Sequence, residues 1–228
     1  KPAVAALVKQ YEGLMAAELK QVVGATSVPL DTRNETVRVK ESPIGNLIAD
    51  LMREALGADV ALVNGGGIRG NAVTPAGPLT RGDVLKILPF ANKVVKIEVT
   101  GGALRAALEN GLSQVEKAAG RFPQVSGLCF TYDISAATGS RVLSAVRQAA
   151  DGSCTGAAID LTDAATYSIT INDFMANGGD GYPYLYDRGT TQGILDQVFA
   201  DWLTANTPVA PALQSRIVCT TSGATACP

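Results

Sequence analysis

The chain has no histidine. Neither a Ser-His-Asp nor a Cys-His nucleophile system can be assembled from it. Zinc and other transition-metal sites lose the imidazole on which they usually depend. No Cys-x-x-Cys pair makes up for this, because Cys129, Cys154, Cys219 and Cys227 are all more widely spaced. No apolar run approaches the ~18 residues of a membrane-crossing helix. A net charge of −2 provides no basic face for a nucleic-acid partner. Internal repeats, heptads and low-complexity linkers are missing too. There is no signal-peptide pattern, yet the chain starts at Lys1-Pro2 without a methionine, a start that reads as a cut. Hydrolytic catalysis by the histidine routes would need groups held elsewhere.

What is present suits a globular protein. Apolar residues make up 46% of the 228 positions and charged residues 18%, enough for a sizeable core in one large or two small domains. The even cysteine count and the Ser/Thr/Gly/Ala-rich tail suit an exported protein with two disulfides. Four cysteines allow three pairings. Cys129–Cys154 with Cys219–Cys227 is favoured, since Cys129 falls in a predicted pair of neighbouring strands that runs on toward Cys154.

The hydrophobic rhythm orders the elements. Residues 1–23 carry Val4, Leu7, Tyr11, Leu14, Met15, Leu19 and Val22 at helical spacing. They form either a first helix or a linker from an upstream domain. Residues 22–30 look strand-like, and Asp31 to Ser42 reads as a polar loop feeding a short extended segment. Ser42-Pro43 is a strong helix start, with a serine cap and proline at the first helical position. Ile44, Leu47, Ile48, Leu51 and Met52 share one face of that helix, and Gly57 ends it. Ala58 to Val63 reads as a buried strand. Thr80 caps a short helix over residues 81–87, stopped by Leu88-Pro89. A strand over 94–99 and a helix over 101–118 follow. Residues 128–132 and 141–146 alternate as two neighbouring strands. A strand over 167–171, a helix over about 191–204 and a closing strand over 216–219 complete a single α+β domain with mixed sheets and packed helices.

Three loops stand out, each after an apolar segment. The first is Asn64-Gly-Gly-Gly-Ile-Arg69, where three glycines suit a positive φ or a ligand close to the backbone. The second is Phe90-Ala-Asn92 and the third runs from Phe174 through Asp180. Of only five phenylalanines, two sit at the mouths of these amide-containing loops. Two aromatics can clamp a flat base from both faces, at ~1–3 kcal/mol per stacked base. A carboxylate such as Asp180 can accept hydrogen bonds from both hydroxyls of a ribose. Arg38 and Arg69 offer planar donor forks suited to phosphate or carboxylate oxygens. Taken together, the loops suggest a nucleoside-shaped pocket.

These motifs give the chain a family resemblance. Glu41-Ser-Pro-Ile-Gly45-Asn46-Leu-Ile-Ala-Asp50, Asn64 to Arg69, Leu88-Pro89-Phe90 and Asn172 to Gly181 occur in the order seen in the C-terminal domain of the 5′-nucleotidase family. The chain resembles that domain over nearly its whole length. The resemblance implies a four-layer α/β/β/α arrangement over residues 24–219, an interdomain linker helix over 1–23 and a tail over 220–228. It implies that Phe90 and Phe174 stack the base, that Asp180 holds the ribose and that Asn92 reaches the base. It further implies that Asn64, Gly66, Gly67, Arg69 and one of Arg38 or Lys40 meet the polar part of the ligand.

The family's catalytic machinery lies in a separate N-terminal domain holding two divalent metal ions. None of its motifs occurs here, so the resemblance implies a chain that binds substrate, holds no metal and is inactive alone. The full enzyme would be exported (periplasmic, secreted or at the cell surface) and would hydrolyse nucleoside phosphates. The same two-domain plan in related enzymes acts on nucleotide sugars such as UDP-sugars, on cyclic nucleotides or on a sulfur-containing substrate. A stand-alone nucleoside-binding module is the remaining alternative.

Overall fold

Among the described residues, five strands form one mixed sheet with an apolar core on each side. They are β3 (Val60–Asn64), β6 (Lys93–Thr100), β7 (Pro123–Ser126), β10 (Thr166–Asn172) and β11 (Gly189–Ile194), and their order across the sheet is β11-β6-β10-β3-β7. The computed structural model describes residues 15–183, 185 and 189–228, with Val4 and Gly13 besides. Most of the helix expected over residues 1–23 lies outside the described residues; residues 15–20, α1, are helical.

Strand alternation decides which side chain enters which core. On β3, Val60 and Leu62 join the first core, while Ala61 and Val63 join the second. The first core is closed by α5 (Gly101–Leu112), through Leu104, Leu108 and Leu112. A three-stranded sheet also closes it, built from β8 (Leu128–Asp133), β9 (Val142–Arg147) and β12 (Ile217–Thr220) with β8 in the middle. Leu128, Phe130 and Tyr132 of β8 point inward with a period of two. The second core lies under α3 (Pro43–Leu56), α4 (Arg81–Ile87) and α7 (Leu195–Asn206). Two small antiparallel ribbons flank these layers: β1 (Val22–Thr26) with β5 (Gly77–Thr80), and β2 (Leu30–Asp31) with β4 (Val73–Thr74).

Local signals gave the expected helix starts. The Ser42 hydroxyl accepts the Gly45 N–H at 3.1 Å with Pro43 at the first position, and Gly57 ends α3 in the left-handed conformation at φ 56°. Thr80 and Asp83 form a reciprocal capping box on α4. Both favoured disulfides are formed, Cys129–Cys154 and Cys219–Cys227.

Three segments differ from expectation. Within the supposed loop, Asn34–Val37 makes one helical turn, α2, because Val37 is fully buried and Gln124 engages the carbonyls of Val37 and Lys40. The helix expected over 101–118 ends at Leu112, whose carbonyl accepts the buried Arg141 guanidinium at 2.6 Å; a 3-10 turn, Val115–Lys117, follows. Thr191, expected at the start of a helix, instead extends the sheet along β6, opposite Val95. An available strand edge and the β-branched pair Thr190-Thr191 outweigh the helical pattern there.

Candidate functional site

The five-stranded sheet contains one parallel pair among the described strands, β3 with β10; its other neighbours run antiparallel. Both strands of the pair end in asparagine, Asn64 and Asn172. The first continues into a 3-10 turn, Gly65–Gly67, and the second into α6, Asp173–Ala176. Crevices beyond the carboxyl ends of parallel strands are where open α/β sheets hold ligands.

A cavity of about 450 Å³ opens at this end of the sheet, within the usual range for small-molecule sites. Nine of the ten candidate residues line it: Arg38, Asn64, Gly66, Gly67, Arg69, Phe90, Asn92, Phe174 and Asp180. Lys40 does not line it, and its carbonyl accepts from Gln124 Nε2 at 2.8 Å.

The aromatic walls are exposed. Phe90 is 53% accessible and Phe174 44%, so neither ring serves as core. Phe90 is delivered where Pro89 has ended α4, and Ala91 turns the backbone at φ 51°. The Lys93 N–H donates to Asp173 Oδ1 at 2.9 Å, tying this turn to α6. The Arg69 guanidinium lies 5.7 Å from the Phe90 ring centroid, a cation–π distance. The Phe174 ring rests on Gly179, where an added Cβ would fall 2.5 Å from a ring carbon.

The polar wall has fixed geometry. Asp180 is itself left-handed at φ 56°, between Gly178 at φ 86° and Gly181 at φ 78°. A non-glycine residue in that region costs about 1–3 kcal/mol and marks a site held by its surroundings. Asn64 Nδ2 donates to Asp180 Oδ2 at 2.7 Å, and Asn110 Nδ2 donates to the Asp180 carbonyl at 3.2 Å. Burial pushes the Tyr182 hydroxyl pKa up, with the Asp180 charge adding to it; that hydroxyl donates to the Arg121 carbonyl at 2.7 Å.

Arg38 is lowered from its ordinary pKa, first by burial and then by the neighbouring Arg69 charge, with Asp180 opposing both. Its Nε is buried without a partner among the described residues. Two guanidiniums against one carboxylate leave the lining with a formal charge of +2 − 1 = +1, which suits an anionic ligand group.

Comparison with known proteins decides the family. Residues 22–187 match the family model described as 5′-nucleotidase, C-terminal domain.

The chain belongs to the 5′-nucleotidase C-terminal domain family.

It is 38% identical over 216 residues to the trifunctional nucleotide phosphoesterase protein YfkN of Bacillus subtilis, covering 91% of this chain and 14% of that one. It is 30% identical to a snake venom 5′-nucleotidase of Crotalus adamanteus, covering 87% and 36%. The crystal structure of a 5′-nucleotidase precursor from Thermus thermophilus superposes with a TM-score of 0.82 at 38% identity, covering 97% of this chain and 43% of that one. The chain thus spans less than half the length of each of these relatives. The mixed α+β fold matches that of the solved 5′-nucleotidase C-terminal domains. Among the described residues, no three His, Cys, Asp or Glu side chains group to hold a metal, and no helix is long and apolar enough to cross a membrane.

Several family motif residues of this 5′-nucleotidase C-terminal domain lie outside the pocket lining. Glu41 Oε1 accepts from Asn46 Nδ2 and from the Gln214 N–H, each at 2.7 Å, and Oε2 accepts from the Arg216 N–H at 2.9 Å. Gly45 leaves room for Gln124, whose Oε1 would lie 2.3 Å from an added Cβ. Fully buried Gln124 accepts from the Ser42 N–H and donates to the Val37 and Lys40 carbonyls, so it holds the loop bearing Arg38.

The glycines of residues 65–67 do not supply positive φ. They let backbones meet instead: a Cβ on Gly65 would fall 2.2 Å from the Val37 carbonyl oxygen, and one on Gly66 would fall 2.8 Å from Gly120 Cα. Gly120 also lines the cavity, although it is not among the residues expected there. Gln124 and Gly120 carry no local sequence signal. Asn172 falls within a family motif but reads from the sequence only as a strand end.

Proposed function

We propose that this domain is the substrate-binding part of an exported enzyme that hydrolyses nucleoside phosphates to nucleoside and phosphate. The observation that carries this reading is the convergence of two exposed phenylalanines, two arginines and one oriented carboxylate on a single cavity. Phe90 and Phe174 stack the base, and Asn92 meets its edge. Asp180, steadied by Asn64, accepts from the ribose hydroxyls. Arg38 and Arg69 draw the phosphate-bearing end of the ligand through charge-assisted hydrogen bonds. Lys40 stays outside this contact set.

Hydrolysis would need a separate N-terminal domain, whose two divalent metal ions would supply the activated water. The residues of this chain bind and orient. Residues 1–23 serve as the linker to that domain. Two disulfides support an oxidising compartment outside the cytoplasm.

The test is a calorimetric titration of the chain with adenosine and with AMP, repeated on Phe174→Ala. Saturable binding weakened by about 1–3 kcal/mol in the variant is expected for loss of one stacking face. Equal binding by both proteins removes Phe174 from the site. Saturable binding accompanied by release of phosphate from AMP would overturn the assignment of hydrolysis to another domain.

A further inference from the structure

Asn172 joins the starts of the two loops that line the cavity. It is fully buried at the end of β10 and does not line the cavity. Its Oδ1 accepts the Met175 N–H at 2.8 Å and so caps α6, the turn that carries Phe174. Its Nδ2 donates to Asn64 Oδ1 at 2.9 Å, and Asn64 Nδ2 donates onward to Asp180 Oδ2 at 2.7 Å. Chemistry at both ends forces the direction of this relay. A backbone N–H only donates and a carboxylate only accepts, so each amide between them has one workable orientation.

From this geometry we infer that Asn172 is a positioning residue that makes the Phe174 ring and the Asp180 carboxylate one unit. One end of its amide fixes the helical turn under the ring. The other end fixes which way round Asn64 sits, and hence whether Asn64 presents NH₂ or oxygen to Asp180. Were Asn64 reversed, its carbonyl oxygen would face the carboxylate, and Asp180 would lose its holder. The inference rests on reading Phe174 and Asp180 as the contacts to base and ribose. Within that reading, recognition of base and of sugar is set by the two ends of one buried side chain. Asparagine suits the position because it carries an acceptor for the cap and a donor for the relay.

The experiment separates those two ends. Asn172→Ser keeps a capping oxygen but is too short to donate to Asn64, whereas Asn172→Ala loses both functions. Wild type and both variants are titrated with adenosine and with 2′,3′-dideoxyadenosine. In Asn172→Ser the preference for adenosine should fall roughly tenfold while dideoxyadenosine binding stays within about twofold, as expected when a buried amide loses its partner. In Asn172→Ala binding of both should fall. An equal loss of both ligands in Asn172→Ser, leaving the preference unchanged, would overturn the inference.

A ligand-free arm uses NMR of the Asn64 side-chain amide. In Asn172→Ser the proton facing Asp180 should lose its hydrogen-bonded shift and its slow exchange; an unchanged signal also overturns the inference. Wild type that binds neither nucleoside refutes the pocket reading, and the NMR arm then decides the relay alone. If Asn172→Ser does not unfold cooperatively, Asn172→Thr replaces it, since its hydroxyl also caps a helix start but is too short to donate to Asn64.

Discussion

Asn64 donates to Asp180 at 2.7 Å across 116 positions of sequence. The donor is 2% exposed, and Asp180 stands at a left-handed backbone position between left-handed glycines. The contact therefore joins the glycine turn after β3 to the loop after α6 and orients the carboxylate before any ligand arrives. Asn64→Ala should cost about 1–3 kcal/mol, because the buried Asn172 NH₂ loses its acceptor as well. Urea denaturation checks this: the midpoint should fall at constant m-value.

Arg38 contrasts with Asn64, since its surroundings oppose it. Burial and the Arg69 charge both disfavour its cationic form, and its Nε has no partner among the described residues. A group so disfavoured fits the phosphate-binding role proposed for it, at some cost in stability. Arg38→Met should leave the ligand-free domain within about 1 kcal/mol of wild type, or more stable. AMP affinity should drop at least roughly tenfold, through loss of a charge-assisted contact. Adenosine affinity should change little. Thermal unfolding with and without each ligand separates these effects.

Acid should weaken the loop that leads to Arg38. The Arg33 side chain and backbone, with the Thr36 hydroxyl, hold the Asp31 carboxyl at about 2 rather than its ordinary 3.8. A carboxyl depressed in the folded state stabilises fully above its unfolded pKa, and that contribution disappears as pH falls through the folded value. Wild type should therefore lose this contribution between about pH 4 and pH 2. Asp31→Asn should be less stable at pH 7, by no more than about 1 kcal/mol for so exposed a pair. Its deficit should shrink toward zero near pH 2. Denaturation midpoints at pH 7, 4 and 2 test the convergence.

The two disulfides should contribute unequally. Cys129–Cys154 spans 25 positions and Cys219–Cys227 spans 8. In the chain-entropy limit these closures are worth about 3.5 and about 2.5 kcal/mol. The double serine variant at Cys129 and Cys154 should unfold at lower guanidinium than the one at Cys219 and Cys227. Reductant should bring wild type to the level of the protein lacking both. Equal midpoints for the two variants would mean that native-state contacts offset the difference in closure entropy.

Local chemistry made much of this structure legible in advance. The Ser42-Pro43 start, the Gly57 stop and the Thr80 box act within a few residues and appear where the pattern places them. The pocket residues are readable because polar and aromatic groups follow apolar strands. What stays hidden is tertiary. Nothing around Gln124 announces that its amide will hold the loop of Arg38 from 84 or more positions away. Thr191 lies in a helical pattern, and only the open edge of β6 explains its strand. The glycines after Asn64 invite a reading of positive φ, whereas their missing side chains make room for Val37 and Gly120. The family resemblance leaves Arg38 and Lys40 both open; the fold parts them, with Arg38 in the cavity lining and Lys40 outside it.

Arg216 imposes an order on folding. It is 2% exposed, and its guanidinium reaches both Asp50 oxygens and the Val125 carbonyl while its N–H reaches Glu41. Helix α3 and strand β7 thus leave polar groups waiting for a residue made 166 positions after Asp50. A chain growing from its N-terminus cannot close this network until residue 216 has been synthesised and freed. Contacts of such long sequence separation also fold slowly. The network that ties Glu41, Asp50 and Val125 to Arg216 is therefore a late event in the folding of a growing chain.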